Sequence, residues 1–369
     1  MSKGRLRHGF TTGSAAAAGA KAGILFLAGY NSLEEIEIPL PGGGRLTIPI
    51  ADAEPVEGGC SVTIIKDGGD DPDITHKARI RSIVRLLPEG EHGYVSIKGG
   101  KGVGMVTRPG LPVPVGEPAI NPVPRQQIRE AVLEGLDRAC LKGSVSVTIE
   151  VVNGEKIAKK TLNPRLGIVG GISILGSRGT VRPFSNKAYM DTIAISMDVV
   201  KAGGLRRIAL STGGTSEMFL KRLLPGLPEV CFIQAGDFFS FSLNEAVKRD
   251  FQDIHYACFF GKLIKMAQGH PYTHARKCRI DFGLLASWCL SLGMGEEKAL
   301  RVAKANTGRE ALGVIIEDTF GKEILYYTMK KVINSARRFS GFYPDLTFYL
   351  FDFDGELLAT HRDPGKSEE

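Results

Sequence analysis

Alternating apolar and polar positions predict a series of strands in the first half of the chain. An apolar side chain at every second position is the period of a strand with one buried face. The segments with this pattern are 35–39, 45–50, 61–65, 80–87, 93–98 and 145–152. Helical spacing predicts a helix over 124–142, and an alanine-rich run after Thr11 predicts another that ends near Leu27. Such a mixture indicates an α+β domain.

The second half follows a different pattern, in which short apolar strands alternate with helices. The predicted strands are 207–211, 230–234 and 254–260, and the helices among them are 193–202, 217–224, 240–249 and 263–268. This repetition is typical of helical crossovers between parallel strands, so we expect a Rossmann-like α/β domain with a mostly parallel sheet. Further helices and a hairpin are predicted at 280–292, 296–306, 322–340, 346–353 and 356–360.

The change of pattern near residues 160–166 predicts a domain boundary. A chain of 369 residues also exceeds what one hydrophobic core usually organises. We therefore expect an α+β domain over residues 1–164, a Rossmann-like α/β domain over 165–361 and a flexible tail over 362–369.

A formal net charge of +7 favours an anionic partner. Lysines and arginines form no tract, and no nucleic-acid-binding module is recognisable, so we expect no nucleic-acid partner. Six cysteines never form a Cys-x-x-Cys pair, which argues against a zinc site and a disulfide framework.

The N-terminal segment superficially resembles a signal peptide, with basic residues before an apolar run. Lys21 and several glycines interrupt that run, and no segment approaches the length of a membrane span. We expect a cytoplasmic protein without a membrane partner. The sequence leaves the oligomeric state open.

The segment 163–185 combines an apolar run with glycines at 167, 170, 171, 176 and 179. Glycines let the backbone approach a ligand closely. The flanking Arg165, Arg178 and Arg182 favour an anionic ligand. A buried strand pair joined by glycine-rich turns would use the same glycines and is the alternative.

This segment, NPRLGIVGGISILGSRGTVRP in its first part, resembles the signature of the CbiD family, the cobalt-precorrin-5B C-1 methyltransferases of anaerobic cobalamin biosynthesis. Further blocks with the character of the family follow in its order along nearly the whole chain. They are HGFTTGSAAAA (8–18), KDGGDDPDITH (66–76), GGKGVG (99–104), RPGLPVPVGEPAINPVPR (108–125), STGGTSE (211–217), GDF (236–238), GKL (261–263) and TH (273–274). Ser14 stands where we expect threonine, a change that keeps the hydroxyl group.

The resemblance implies an enzyme that transfers the methyl group of S-adenosylmethionine, its co-substrate, to C-1 of cobalt-precorrin-5B, giving cobalt-precorrin-6A. Cobalt would enter only as part of this anionic tetrapyrrole, and we expect no metal site in the protein itself. Methyl transfer from a sulfonium requires an in-line approach, so positioning is the expected catalytic contribution.

The expected cofactor site lies at the ends of two predicted strands in the second half. The turn Thr212-Gly213-Gly214-Thr215 follows the first strand and lacks the G-x-G-x-x-G spacing of dinucleotide sites. Gly236 and Asp237 follow the second strand, where an acidic residue binds a ribose diol in Rossmann-like domains. S-adenosylmethionine has such a ribose and no phosphate. A plain turn in which Asp237 caps a helix is the alternative.

The Asp-rich loop 66–76 is the expected catalytic element. Asp71 or His76 would remove a proton as C-1 becomes quaternary, and Lys66 would bind the substrate. Turns built on Asp-Gly and Asp-Pro are the alternative account of this loop.

Arginines are expected to hold the substrate carboxylates, because a guanidinium binds a carboxylate in a bidentate fork. Two of them, Arg108 and Arg125, flank a stiff loop with six prolines. We expect four arginines to face one cleft between the domains, namely Arg108, Arg125, Arg165 and Arg182. Asn121 and His274 are the remaining expected substrate ligands.

A non-enzymatic protein is the alternative function, either a tetrapyrrole carrier or a protein that binds anionic ligands or RNA. Scattered arginines and a single tryptophan argue against RNA.

Overall fold

The computed structural model of the chain describes residues 6–87, 89, 91–341 and 343–365. The chain divides into unit 1, residues 1–186, and unit 2, residues 187–369. This break lies after the glycine-rich segment, whereas the sequence pattern places it before that segment, at residues 164/165. The physical reason is strand pairing, because two short strands within 165–186 pair with strands near the start and the middle of unit 1.

Unit 1 combines strands and helices. Its strands are β1 (Gly9–Phe10), β2 (Glu35–Pro39), β3 (Arg45–Pro49), β4 (Asp52–Val56), β5 (Gly59–Ile65), β6 (Arg79–Leu87), β7 (Val95–Gly99), β8 (Met105–Val106), β9 (Ser144–Val151), β10 (Ile168–Val169) and β11 (Thr180–Val181). Its helices are α1 (Thr12–Leu27), α2 (Pro122–Ala139) and α3 (Gly154–Ala158).

The main sheet of unit 1 has the order β4-β5-β6-β9-β7, antiparallel except for the parallel pair of β7 and β9. Helix α1 packs on it so closely that only glycine fits at two positions. A Cβ atom at Gly19 would lie 2.7 Å from Ser82 Oγ, and one at Gly23 would lie 2.6 Å from a methyl group of Val84. The alanine-rich sequence predicted at 12–27 is therefore a helix that is buried on all sides up to Leu25.

The glycine-rich segment and the proline-rich loop form one layer of unit 1. Strand β10 pairs antiparallel with β8, and β11 pairs antiparallel with β1. The segment thus forms two separate two-residue strands, and they do not pair with each other, contrary to the strand pair considered from the sequence. Ile172 and Ile174 add single parallel bridges to Val103 and Ile120.

Unit 2 alternates strands and helices. Its strands are β12 (Arg207–Ser211), β13 (Phe232–Gln234), β14 (Asp253–Phe259), β15 (Asp345–Phe351) and β16 (Leu357–Asp363). Its helices are α4 (Asn186–Ala202, which starts at the boundary), α5 (Gly214–Leu223), α6 (Phe239–Lys248), α7 (Phe260–Ala267), α8 (Phe282–Ser291), α9 (Glu296–Ala303), α10 (Gly308–Ile316) and α11 (Gly321–Ser340).

The sheet of unit 2 has the order β13-β12-β14-β15-β16. The first four strands are parallel, and β16 runs antiparallel to β15, so the sheet is mixed. Both faces are covered, because Leu210 belongs to the larger apolar cluster and Ala209 to a smaller one that includes Phe219 of α5. The whole chain is thus a mixed α/β protein.

Most elements predicted from periodicity are present within a few residues of their expected ends. Strand β4 and helices α3 and α10 lie outside the segments that the sequence analysis predicts. Strand β16 extends to Asp363, so the tail expected from residue 362 begins inside a strand, and residues 366–369 lie outside the described part of the chain.

Candidate functional site

A pocket of about 210 Å³ lies in unit 1, where three distant segments of the sequence meet. These segments are the start of α1, the Asp-rich loop after β5, and the glycine-rich segment with the residues that precede it. The lining residues are Thr11, Thr12, Lys66, Asp73, Thr75, Thr161, Asn163, Ile172, Ser173, Leu175 and Val181. Three of the blocks that carry the family resemblance therefore converge on one cavity.

Lys66 lines this pocket, with only 2% of its surface exposed. Its Nζ donates to Asp73 Oδ2 at 2.6 Å, and Asp73 Oδ1 accepts from the backbone N–H and the hydroxyl of Thr75, each at 2.7 Å. Burial raises the pKa of Asp73, but the charge of Lys66 and the hydrogen bonds from Lys66 and Thr75 lower it more. Asp73 is therefore the carboxylate paired with the buried Lys66 side chain.

The predicted bases Asp71 and His76 belong to the same loop but do not line the pocket. His76 Nδ1 accepts the backbone N–H of Gly68 at 2.9 Å, so a neutral His76 ring carries its proton on Nε2. Asp71 Oδ1 accepts the backbone N–H of Phe184 at 2.8 Å.

The N-terminal segment holds the Asp-rich loop in place, a contact that sequence reasoning missed. Arg7 forms a two-pronged ion pair with Asp67, and these hydrogen bonds lower the pKa of Asp67 below its usual value. The backbones touch, because a Cβ atom at Gly9 would lie 2.3 Å from the carbonyl oxygen of Asp67. Arg7 and Gly9 are therefore part of the folded unit.

The four predicted arginines all lie in unit 1, so the expected clamp does not draw on both halves of the chain. Arg125 donates to the carbonyl oxygens of Ile120 and Ile97, at 2.9 and 3.2 Å, so its guanidinium holds the backbone of the proline-rich loop. Arg108 is exposed, and its aliphatic stem covers Gly167. Arg182 is exposed and Arg165 is half-buried.

Four of the five signature glycines face the protein itself. The nearest atom to an added Cβ would be Arg108 Cγ at Gly167 (2.4 Å), Gly102 O at Gly171 (2.1 Å), Thr11 Cγ2 at Gly176 (2.4 Å) and Leu40 Cδ2 at Gly179 (2.6 Å). Gly170 alone among the five has no described atom within 4 Å of that position. These glycines mainly serve close contact between chain segments, not contact with a ligand.

The second group of predicted residues meets at the carboxyl end of the parallel strands in unit 2. Asp237, just after β13, forms an ion pair with Lys262 of α7, and its Oδ1 also accepts from the hydroxyl of Thr273 at 3.1 Å. Burial lowers the pKa of Lys262 to about 8, and the nearby charge of Lys265 acts in the same direction. The carboxylate of Asp237 favours the charged form, so Lys262 is an ammonium group at neutral pH.

The turn between β12 and α5 is open to solvent. Gly213 and Gly214 have no described atom within 3.4 Å of an added Cβ, and the first intrahelical donor is Glu217 N. The hydroxyl groups of Thr212 and Ser216 lie 3.3 Å apart, and Thr215 is exposed. The first two residues of α5, Gly214 and Thr215, are therefore exposed, whereas Ser216 and Glu217 are buried.

The remaining predicted residues differ in the contacts that they make with the rest of the protein. Gly236, with φ +60°, lies under the Tyr189 ring, whose hydroxyl oxygen would be 2.9 Å from an added Cβ. His274 stacks on Tyr272, and its Nδ1 accepts the backbone N–H of Arg276 at 3.2 Å. Asn121 precedes α2 without a side-chain capping bond.

Two general features of the described residues bear on the kind of site. No group of three or more His, Cys, Asp or Glu side chains among them could hold a metal ion. None of the described helices combines the length and the apolar character that crossing a membrane requires.

Comparison with known proteins covers both units. Residues 1–183 match the family model described as CbiD, and residues 272–362 match the one described as CbiD, C-terminal domain. The first match ends close to the boundary between the units.

Relatives named cobalt-precorrin-5B C(1)-methyltransferase are similar over almost the whole chain. The one from Nitratidesulfovibrio vulgaris is 47% identical over 96% of this chain and 92% of its own length. The one from Thermus thermophilus is 43% identical over 97% of this chain and 94% of its own length. A 1.9 Å crystal structure of a cobalamin biosynthesis protein (cbiD) from Archaeoglobus fulgidus is 28% identical, with a TM-score of 0.40 over 71% of this chain and 79% of that one. From the family models and these identities, this chain is a member of the CbiD family.

Proposed function

We propose that this protein transfers the methyl group of S-adenosylmethionine to C-1 of cobalt-precorrin-5B, giving cobalt-precorrin-6A in anaerobic cobalamin biosynthesis. The observation that carries the proposal is 47% identity, over 96% of the chain, to a protein named for this reaction. The similarity covers 96% of the chain and therefore extends over both units.

We assign the methyl donor to the carboxyl end of the unit 2 sheet. The strand order reverses between β12 and β14, and ligands of open α/β sheets bind outside the strand ends at such a point, as in a Rossmann-like domain. The open turn at Gly213 and Gly214 leaves room for a ligand close to the backbone. Bound S-adenosylmethionine supplies a methyl group on a positively charged sulfur.

Asp237 is the proposed ribose ligand. Lys262 and Thr273 occupy Oδ1, while Oδ2 has no hydrogen-bond partner among the described residues. Oδ2 can therefore accept a hydrogen bond from one ribose hydroxyl, and Lys262 fixes the orientation of the carboxylate.

We assign the tetrapyrrole to unit 1, with Lys66 and the exposed guanidinium groups of Arg108 and Arg182 as carboxylate ligands, together with Arg165 and Asn121. Arg125 holds the carbonyl groups of Ile97 and Ile120, so it positions the proline-rich loop. His274, which the sequence also predicts as a substrate ligand, lies in unit 2.

Asp71 is the better candidate for the base that takes the proton from the substrate. A neutral His76 presents an N–H at Nε2 because its Nδ1 is an acceptor, so it is arranged to donate a hydrogen bond. Asp71 uses Oδ1 for the N–H of Phe184, and its second oxygen has no hydrogen-bond partner among the described residues. Positioning of the two substrates supplies the larger part of the rate enhancement, since it lowers the barrier of well-oriented reactions by roughly 7–11 kcal/mol.

Anaerobic incubation of the protein with cobalt-precorrin-5B and S-adenosylmethionine tests the proposal. The expected products are S-adenosylhomocysteine and a tetrapyrrole that is heavier by one methyl group, both identified by mass spectrometry. Asp71→Asn should lower kcat and leave the dissociation constant of the tetrapyrrole unchanged, because a base acts in the transition state only. Asp70→Asn, in the same loop, is the control.

The carrier alternative predicts tetrapyrrole binding without product. RNA binding would instead appear in a filter assay as an affinity that falls steeply with salt. Absence of methylated product from the wild-type protein would contradict the proposed reaction.

A further inference from the structure

Most hydrogen-bond donors around the pocket of unit 1 are already used within the protein. The hydroxyl groups of Thr12, Thr75, Thr161 and Ser173 donate to Ser173 O, Asp73 Oδ1, Ala158 O and Asn163 Oδ1, respectively. These hydroxyl groups therefore offer lone pairs, and not protons, to anything inside the cavity.

Two donors on the pocket wall are not fully used. Lys66 Nζ has three N–H bonds, and Asp73 Oδ2 is its single acceptor among the described residues. The Asn163 amide has two N–H bonds and donates one of them, to Gly171 O at 3.1 Å. Both side chains are more than nine-tenths buried. An acceptor for their remaining N–H groups must therefore lie in the pocket.

The electrostatics of the pocket favour an anionic acceptor. Lys66 and Asp73 cancel in formal charge, but Thr11 and Thr12 place the positive end of the sixteen-residue helix α1 at the wall. A volume of about 210 Å³ also exceeds that of one or two water molecules. Ile172, Leu175 and Val181 supply an apolar side that suits a short carbon chain.

We propose that this pocket binds one carboxylate-bearing side chain of a ligand, with Lys66 and Asn163 donating to the two carboxylate oxygens. Asp73 and Thr75 are positioning residues that fix the Lys66 ammonium. The inference rests on the proposed function, because both of its ligands carry carboxylates: the tetrapyrrole on its side arms and S-adenosylmethionine on its methionine part.

Lys66→Met tests the proposal by calorimetry with cobalt-precorrin-5B and, separately, with S-adenosylhomocysteine. We expect the dissociation constant of one of the two ligands to rise about tenfold or more, since a buried charged hydrogen bond is lost. A loss for the tetrapyrrole alone identifies a side arm as the occupant. A loss for S-adenosylhomocysteine alone identifies the methionine carboxylate and would contradict the assignment of the methyl donor to the unit 2 sheet. Unchanged affinity for both ligands overturns the proposal.

Lys21→Met is the matched control, because Lys21 is also buried in unit 1 and ion-paired, to Glu134, but does not line the pocket. It should leave both affinities unchanged. If Lys66→Met does not fold, Leu175→Trp decides the matter. Leu175 lines the pocket and is 49% exposed, so the larger ring can fill the cavity from its rim. Unchanged affinities in that folded variant overturn the proposal.

A third probe separates failure of the pocket from failure of the proposed reaction. Propionate resembles a tetrapyrrole side arm, and propionamide is its neutral counterpart. Even for a wild-type protein that binds neither ligand, propionate should raise the thermal unfolding midpoint more than propionamide at equal ionic strength, and Lys66→Met should abolish the difference. Equal effects of the two compounds in the wild type overturn the proposal.

Discussion

Among the described residues, three lysine side chains are more than nine-tenths buried, namely Lys21, Lys66 and Lys265, and their partners differ. Lys21 donates to Glu37 O at 2.8 Å and to Glu134 Oε2 at 2.6 Å. Lys265 donates to Thr273 O at 3.0 Å. Lys66 also has a single acceptor among the described residues, the carboxylate of Asp73, but it is the one of the three that lines the pocket. Burial of an ammonium group with one acceptor for its three N–H bonds is costly, and a ligand in the adjoining pocket would supply the missing acceptors.

Asp237→Asn should weaken binding of S-adenosylhomocysteine about tenfold, because a neutral amide makes a weaker hydrogen bond to the ribose than a carboxylate does. Calorimetry measures this change directly. Asp198→Asn is the control, since Asp198 is also ion-paired in unit 2, to Arg249 at 2.7 Å, and lies away from the strand ends. If the wild type and Asp237→Asn bind S-adenosylhomocysteine with equal affinity, Asp237 is not the ribose ligand.

Among the elements, the glycine-rich segment is the clearest case of backbone packing against backbone. Gly171 lies against Gly102, and Gly102 in turn lies against Gly154, with each added Cβ near 2 Å from a carbonyl oxygen of another segment. These close backbone contacts help to fix the two-residue strands, which form few hydrogen bonds with their partner strands.

Gly171→Ala is expected to cost at least about 3 kcal/mol of unfolding free energy, because its Cβ would lie 2.1 Å from Gly102 O and the backbone must move. Gly170→Ala is the neighbouring control. It has open space but a φ of +80°, so only about 1 kcal/mol of backbone strain is expected. Urea unfolding of both variants measures the difference, and equal losses would argue against the close contact.

The ion pairs of Glu134 link α2 to α1 and to β3. Hydrogen bonds from Arg45 lower the pKa of Glu134 to about 2, and Lys21 acts in the same direction. A depressed pKa stabilises the fold above the unfolded-state value, and this stability is lost as pH falls from about 4.5 towards 2.

Glu134→Gln should therefore lower the free energy of unfolding by about 1–2 kcal/mol near neutral pH, a figure reduced for the 35% exposure of the side chain. The gap between wild type and variant should narrow as the pH falls below about 4.5. Thermal or urea unfolding across this range measures it. A gap that stays constant down to about pH 3 would contradict the assigned ion pairs.

At the scale of the whole molecule, the two units have separate cores and a boundary that is set by strand pairing. The residues after 164 complete unit 1, because Ile168, Ile172 and Ile174 are buried against the proline-rich loop and its neighbours.

A fragment of residues 1–186 is expected to fold cooperatively, and a fragment of residues 1–164 is not. Removing the three buried isoleucines forfeits roughly 1.5–3 kcal/mol each, which together approaches the whole stability of a typical domain. Circular dichroism with thermal unfolding compares the two fragments. Equal cooperative transitions would restore the boundary at 164.

The sequence by itself determined the family and most of the regular elements. Local periodicity was sufficient for α1, α2 and the strands of unit 2, because helix and strand formation depends on neighbours within a few residues. The same pattern locates strand ends, so it also placed Asp237 just after a predicted strand. The Asp-rich loop and the signature were recognised as blocks, although their separate roles were not.

Only the tertiary structure decided which residues meet. The compact units divide after Asn186, four of the five signature glycines face other chain segments, and Arg125 binds carbonyl groups. Lys66 and Asn163 came to line one pocket although almost a hundred residues separate them. Such contacts join segments distant in sequence, and no local periodicity encodes them, because they depend on how strands pair and on how closely backbones can pack.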